Sequence, residues 1–139
     1  MMDRFVVDAS VVMSWCFDDE TNDYADAVLD LLHHGTAMVP PIWPLEVANV
    51  LLAAERKKRL QESDSSRFIN LLSQLPIVVV ETAFHERMAE FMDFARENGL
   101  SSYDASYLDL AMREGIPLAT LDEKLLRAAH NVKVGTLDA

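Results

Sequence analysis

Asp8 is the first residue in this sequence whose type conflicts with its surroundings. It separates two apolar runs, at residues 5–7 and 11–13, so its carboxylate is expected to be buried. An isolated carboxylate in apolar surroundings costs several kcal/mol unless it is hydrogen-bonded, paired with a cation or bound to a metal ion. Asp8 is therefore the first candidate for a chemical role.

Two further acids stand at comparable places in the chain. Asp122 directly follows a predicted strand at residues 118–121, and Glu46 lies in the first turn of the helix after a predicted strand at residues 37–39. Parallel α/β sheets bind ligands where strands end and the next helices begin, so Asp8, Glu46 and Asp122 are expected to share one rim. Asp104 also opens a helix, but no strand precedes it, and the pattern alone does not place it at this rim.

Each of these acids also has a purely structural interpretation. Asp122 can cap the helix that follows it, and Glu46 or Asp104 in a first turn interacts favourably with the helix dipole. Three or four carboxylates gathered without cations, however, would repel one another and raise their pKa values. A hard divalent cation such as Mg²⁺ or Mn²⁺, which prefers oxygen ligands, is the simplest remedy.

Three neutral polar residues accompany the acids. Asn49 is three residues after Glu46, so both lie on one helix face. Ser10 is two residues after Asp8, and Thr120 is two residues before the last acid, which places each pair on the same side of extended backbone. These side chains either orient the carboxylates and metal-bound water or satisfy the backbone of the turns.

The elements that must position these residues alternate between short apolar runs and helical periodicity, which indicates an α/β fold. Strands are predicted at residues 5–7, 37–39, 76–81, 118–121 and 132–134, and helices at residues 21–34, 45–58, 65–74, 83–98, 102–114 and 123–130. Strands separated by helices imply a mostly parallel sheet covered on both faces. A chain of 139 residues, half of them apolar, suits a single domain over residues 1–139.

Composition narrows the class of protein. The single cysteine, Cys16, excludes a disulfide framework, and the N-terminus does not have the pattern of a signal peptide. The longest uncharged stretch, residues 35–45, is too short to cross a bilayer, so a soluble, cytoplasmic protein is expected. The net charge of −11 argues against a nucleic-acid protein, unless bound cations neutralise part of it or the acidic surface meets a basic partner.

Four segments, in this order, carry a resemblance to a known family: VVDAS at residues 6–10, PLEVANVL at 44–51, SYDASYL at 102–108 and ATLD at 119–122. Together they resemble the PIN domain, and most of all its VapC members, the toxins of bacterial toxin–antitoxin pairs. The resemblance implies a three-layer α/β/α fold with a central, mostly parallel sheet of four or five strands. It also implies a metal site, and it is what brings Asp104 into that site. The implied metal-binding acids are Asp8, Glu46, Asp104 and Asp122, with Ser10, Asn49 and Thr120 as auxiliary polar positions.

The same resemblance implies an activity and partners. The expected reaction is endonucleolytic hydrolysis of RNA with Mg²⁺, or alternatively Mn²⁺, leaving 5′-phosphate and 3′-hydroxyl ends. Asp8 and Asp104 are expected to bind metal directly, while Glu46 and Asp122 complete its shell or position water. The expected partners are a second copy of the chain and a VapB-like antitoxin, with no membrane. Asp109, the next acid after Asp104, is left out because five residues along a helix turn it about 140° away.

Other classes of protein fit less well. A catalytically silent PIN-fold interaction module is the serious alternative, although it would not need all four acids. An aspartyl-phosphate phosphatase needs a second Asp where Ser10 stands, and no glycine-rich phosphate-binding motif is present. The basic run at residues 56–59 is interpreted as a solvated helix end rather than an RNA contact, and Trp15 and Trp43 as core residues rather than stacking platforms.

Overall fold

A parallel sheet lies at the centre of the molecule. The computed structural model describes residues 3–20 and 22–139, and in that part of the chain the strands are Arg4–Val7 (β1), Thr36–Val39 (β2), Ile77–Val79 (β3) and Leu118–Ala119 (β4). They pair in the order β3-β2-β1-β4, and every pairing is parallel. The prediction of a parallel sheet of four or five strands is confirmed, with four.

The central strand β1 sets the position of the rim. Val6 is paired with Met38 of β2 on one side and with Leu118 of β4 on the other. At the carboxyl end of β1, the backbone N–H of Asp8 donates to the carbonyl of Ala119 at 3.2 Å. The residues that follow β1 and β4 are therefore neighbours, as parallel pairing requires.

Helices flank this sheet in three α/β/α layers. The first helix packs against the second and third, and the sixth packs against β1, the fifth and the seventh. Within the described residues, short 3₁₀ helices occur at Asp18–Glu20 and Phe84–Glu86. The α-helices are Ala9–Ser14 (α1), Asp23–Leu31 (α2), Trp43–Arg56 (α3), Glu62–Ser73 (α4), Met88–Glu97 (α5), Ser102–Glu114 (α6) and Glu123–Asn131 (α7).

The strand predicted at residues 132–134 is wrong. After α7 the chain turns at Lys133, which has a φ of 61°, and the N–H of Val134 donates to the carbonyl of Ala129 at 2.9 Å. This left-handed turn satisfies the last carbonyls of α7. Pairing with β4 is delayed as a result, and it consists of a single parallel bridge between Leu118 and Thr136.

The long helix predicted at residues 83–98 is also wrong, because it is broken at Arg87. The backbone of Arg87 has φ −130° and ψ 25°, which is not helical, so a 3₁₀ turn precedes it and α5 follows it. Its guanidinium forms a mostly buried ion pair with Asp109 of α6 at 3.0 Å. The start of α2 also differs: the helix begins after its cap Asn22, while Thr21, where the sequence predicted the helix to start, lies outside the described residues.

The core is apolar and continuous around β1. Val6, Val7, Leu108, Leu118 and Leu125 are fully buried, so β1, β4, α6 and α7 share one interior. Among the helices formed by the described residues, none combines the length and apolar composition needed to cross a membrane.

Candidate active site

Asp8 occupies the junction between β1 and α1. It caps α1, since its Oδ1 accepts hydrogen bonds from the backbone N–H of Val11 at 3.3 Å and from Oγ of Ser10 at 2.6 Å. Its Oδ2 accepts a hydrogen bond from Oγ1 of Thr120. Only 6% of the residue is exposed, as the sequence predicted for its carboxylate. Asp8 is therefore a buried carboxylate that also caps a helix, a role that the sequence analysis did not assign to it.

Burial dominates the titration of Asp8. It raises the pKa of this carboxyl to about 6, against the hydrogen bonds from Ser10, Thr120 and Val11, which lower the pKa. Repulsion from Asp104 is a smaller contribution that also raises it. A cation bound close to this carboxylate would favour its ionised form.

The two hydroxyls that contact Asp8 also join the ends of β1 and β4. Oγ of Ser10 accepts the N–H of Leu121 at 3.0 Å, and Oγ1 of Thr120 accepts the N–H of Asp122 at 3.0 Å. Both side chains therefore hydrogen-bond turn backbone and the Asp8 carboxylate.

Asp122 follows β4 and caps α7. Its Oδ1 accepts hydrogen bonds from the N–H groups of Lys124 at 2.8 Å and Leu125 at 3.1 Å. Capping uses Oδ1 alone, so among the described residues no hydrogen bond is made to Oδ2. The structural role of this acid leaves one of its oxygens for a ligand.

Glu46 lies in the first turn of α3 and is half-buried. Burial raises the pKa of its carboxyl, a hydrogen bond from Tyr107 lowers it, and repulsion from Asp104 raises it. Tyr107 of α6 makes that hydrogen bond through its hydroxyl, at 2.5 Å from Oε1. The sequence analysis missed Tyr107, although its position three residues after Asp104 on one helix face was a usable signal.

Asp104 connects the group. Burial and then repulsion from Asp122 raise the pKa of Asp104, while Lys124 lowers it. Since Asp104 in turn raises the pKa values of Asp8 and Glu46, it interacts with each of the other three acids. The tertiary structure thus brings Asp104 to the rim, which the sequence pattern alone did not do.

The donor set suits a hard divalent cation. All four side chains offer carboxylate oxygens, and among residues 3–20 and 22–139 none of the four forms an ion pair with lysine, arginine or histidine. However, in the same part of the chain no group of three or more Asp, Glu, His or Cys side chains is arranged closely enough to hold a metal ion. The acids share a region without forming a closed coordination shell.

The remaining candidates are less closely connected with the acids. Asn49 is exposed and lines a groove of about 530 Å³ together with Glu46 and Tyr103, but among the described residues it makes no hydrogen bond with Glu46. Asp109 forms its ion pair with Arg87 and is not part of the group. Of the basic run at residues 56–59, Arg59 binds Asp19 and Glu20 on the surface.

The two tryptophans have structural surroundings. Trp43 is buried at the start of α3, with 8% of its surface exposed. Nε1 of Trp15 donates to the carbonyl of Ala25 at 2.8 Å, which attaches α2 to the end of α1. Both observations agree with the core interpretation of these residues.

Comparison with known proteins agrees with this fold. The family model of the PIN domain matches residues 5–131, so the chain belongs to the PIN-domain family. It is similar to Ribonuclease VapC3 of Pyrobaculum aerophilum, with 26% identity over 122 residues that span 88% of this chain and 92% of that protein. The resemblance to VapC members is thereby confirmed.

Solved structures show the same architecture. The crystal structure of PAE2754 from Pyrobaculum aerophilum superposes with a TM-score of 0.69 at 25% identity, covering 92% of this chain and 87% of that one. VapBC2 from Rickettsia felis, bound to a DNA fragment from its promoter, superposes with a TM-score of 0.67 at 14% identity, covering 96% and 97%. Because the identity to VapBC2 is only 14%, that similarity shows a shared fold and nothing more.

Proposed function

We propose that this chain is a VapC-type toxin that hydrolyses RNA phosphodiester bonds with a divalent cation, Mg²⁺ or Mn²⁺. One observation carries the proposal: Asp8 is a buried carboxylate at the carboxyl end of β1, held by three hydrogen bonds and within electrostatic reach of Asp104. Membership of the PIN-domain family and the similarity to Ribonuclease VapC3 support it independently.

Each acid has a distinct part in this proposal. The direct cation ligands are Asp8, whose orientation is determined by hydrogen bonds to both oxygens, and Asp104, which interacts electrostatically with each of the other three acids of the site. Glu46 and Asp122 each keep one oxygen outside their structural hydrogen bonds and complete the shell or position water. A bound divalent cation would lower the pKa of the attacking water and offset charge on the phosphate.

The protein's charge is consistent with these partners. A net charge of −11 disfavours tight, non-specific RNA binding, so contacts near the cation site must supply most of the affinity. The same charge attracts a basic inhibitor. We therefore include a VapB-like antitoxin with an arginine-bearing segment as the partner that occupies the acidic site. A homodimer is included as the assembly because the family resemblance implies it, and not because of the charge.

The test is cleavage of 5′-labelled transfer, ribosomal and messenger RNA by the purified full chain. We expect cleavage with Mg²⁺ or Mn²⁺, none in EDTA, and products with 5′-phosphate and 3′-hydroxyl ends. Asp8→Asn and Asp104→Asn should abolish cleavage without unfolding the protein. Asp93→Asn, the same chemical change at an exposed surface ion pair with Arg96, is the matched control and should cleave normally.

The opposite outcome identifies the alternative. A folded chain that cuts none of these RNAs with either metal, and whose melting temperature does not respond to metal, is a catalytically silent PIN-fold interaction module. Antitoxin binding would then be its function, and a co-expressed VapB-like protein should still co-purify with it.

A further inference from the structure

The hydroxyl of Tyr107 links the two helices that supply Glu46 and Asp104. The tyrosine is almost completely buried, with 1% of its surface exposed, and its hydroxyl donates to Oε1 of Glu46 across 61 residues of sequence. A buried tyrosine hydroxyl normally has a hydrogen-bond partner. Here the partner is a site carboxylate rather than a backbone carbonyl.

The placement of Tyr107 on α6 makes this contact specific. Asp104 and Tyr107 are three residues apart and lie on one face of the helix. The same helix face therefore presents a carboxylate to the site and a hydroxyl to the neighbouring carboxylate of α3. In the described part of the chain, Tyr107 is the hydrogen-bond donor to Glu46, and Oε2 receives none.

Glu46 needs such a contact more than Asp8 and Asp122 do. Asp8 and Asp122 are oriented by backbone N–H groups at helix caps, but Glu46 has a longer side chain with more rotamers to lose. The hydrogen bond from the Tyr107 hydroxyl supplies the orientation that no helix cap gives to Glu46.

We infer that Tyr107 is a positioning residue, which holds Glu46 through Oε1 so that Oε2 is presented to the divalent cation. This inference rests on the proposed function, since it concerns the same cation. Loss of a partner that orients a metal ligand typically weakens metal binding about 10- to 100-fold. A purely structural tyrosine hydroxyl would not change metal affinity.

The experiment compares two tyrosine-to-phenylalanine variants by Mn²⁺ titration calorimetry on the metal-free full chain. Tyr107→Phe removes the hydroxyl at Glu46 and keeps the ring in the core. Tyr24→Phe is the matched control, because its hydroxyl donates to the carbonyl of Leu137 at 2.7 Å and not to an acid. We expect the Kd for Mn²⁺ to rise about tenfold in Tyr107→Phe and to stay within about twofold of the wild type in Tyr24→Phe.

A second comparison tests whether Tyr107 acts through Glu46. In a Glu46→Gln background, Tyr107→Phe should not weaken Mn²⁺ binding further, because the ligand that it positions is already changed. Thermal unfolding without metal checks that every variant is folded.

The outcomes separate the two proposals. The positioning role is refuted, and the cation site stands, if the wild type and Tyr107→Phe bind Mn²⁺ equally well. The same conclusion follows if the substitution Tyr107→Phe weakens Mn²⁺ binding by the same factor in the wild-type and Glu46→Gln backgrounds. If the wild type binds no Mn²⁺ and cleaves no RNA, the proposed function fails, and the role of Tyr107 fails with it.

Discussion

Replacement of Asp8 by asparagine should stabilise the metal-free protein at neutral pH while it abolishes activity. In the folded state the carboxylate of Asp8 is buried beside Asp104, and this raises its pKa from 3.8 to about 6. Because the folded protein then binds this proton more tightly than the unfolded chain does, stability decreases as pH rises through about 4 to 6 and stays low above that range. Asparagine is uncharged, so its burial at this position does not reduce stability as pH rises.

The magnitude follows from that difference in pKa. A change from 3.8 to about 6 corresponds to about 3 kcal/mol of lost stability at pH 7.5, and to about 1 kcal/mol at pH 4.5. Asparagine caps helices as well as aspartate does, so the bond from Val11 is retained. The hydroxyl of Thr120 loses its acceptor, which costs about 1 kcal/mol at either pH. The free energy of unfolding of Asp8→Asn should therefore equal that of the wild type at pH 4.5 and exceed it by about 2 kcal/mol at pH 7.5.

Urea denaturation in EDTA at these two pH values, followed by tryptophan fluorescence and circular dichroism, measures the difference. Asp93→Asn is the control, because its carboxylate is exposed. A cost of burying the Asp8 charge is refuted if Asp8→Asn is no more stable than the wild type at pH 7.5, or if the difference between them is the same at both pH values. Either result would mean that burial does not penalise the charge of Asp8.

Two further predictions concern metal and packing. At pH 7.5 a Mg²⁺ concentration of about 100 times Kd should stabilise the wild type by about 2.7 kcal/mol and Asp8→Asn far less, which melting temperatures with and without Mg²⁺ measure. Equal shifts in the melting temperature of the two proteins would mean that the ion binds elsewhere. Arg87→Ala should destabilise the protein by about 3 kcal/mol in urea, because it leaves Asp109 unpaired at a mostly buried position. The Mn²⁺ affinity of that variant, measured by calorimetry while it is folded, should be unchanged, since Asp109 is not one of the cation ligands.

Much of the fold of this protein follows from local patterns in its sequence. The apolar runs that form β1, β2 and β4 are buried in a sheet covered on both faces, so the α/β class and the parallel sheet followed from pattern. At the edge of the sheet, β3 leaves Val78 and Val79 about half exposed. Asp8 and Asp122 could be placed at the rim because each directly follows a predicted strand, and the carboxyl ends of parallel strands meet at one edge. The observed β4 is shorter than predicted and ends at Ala119. Resemblance to the PIN domain, rather than periodicity, brought Asp104 into the site.

Other features were decided by contacts between distant segments. The break at Arg87 accompanies an ion pair with Asp109 of α6, and the bridge at Thr136 forms only after the left-handed turn that closes α7. Neither leaves a periodic trace in the chain, because the partner lies on another element. Helical periodicity therefore predicted one helix at residues 83–98, where there are two segments. A short apolar run predicted a strand at residues 132–134, where there is a turn.

The candidate site likewise combines features that the local sequence sets with features that tertiary contacts set. Sequence determined which residues are acids and which of them begin a helix, because strand ends and helix caps are local features. Only the tertiary structure decided that Asp104 repels the other three acids and that Tyr107 holds Glu46 across 61 positions of sequence. The physical reason is that a hydrogen bond or a Coulomb interaction depends on separation in space, which the packing of α3 and α6 against the sheet sets.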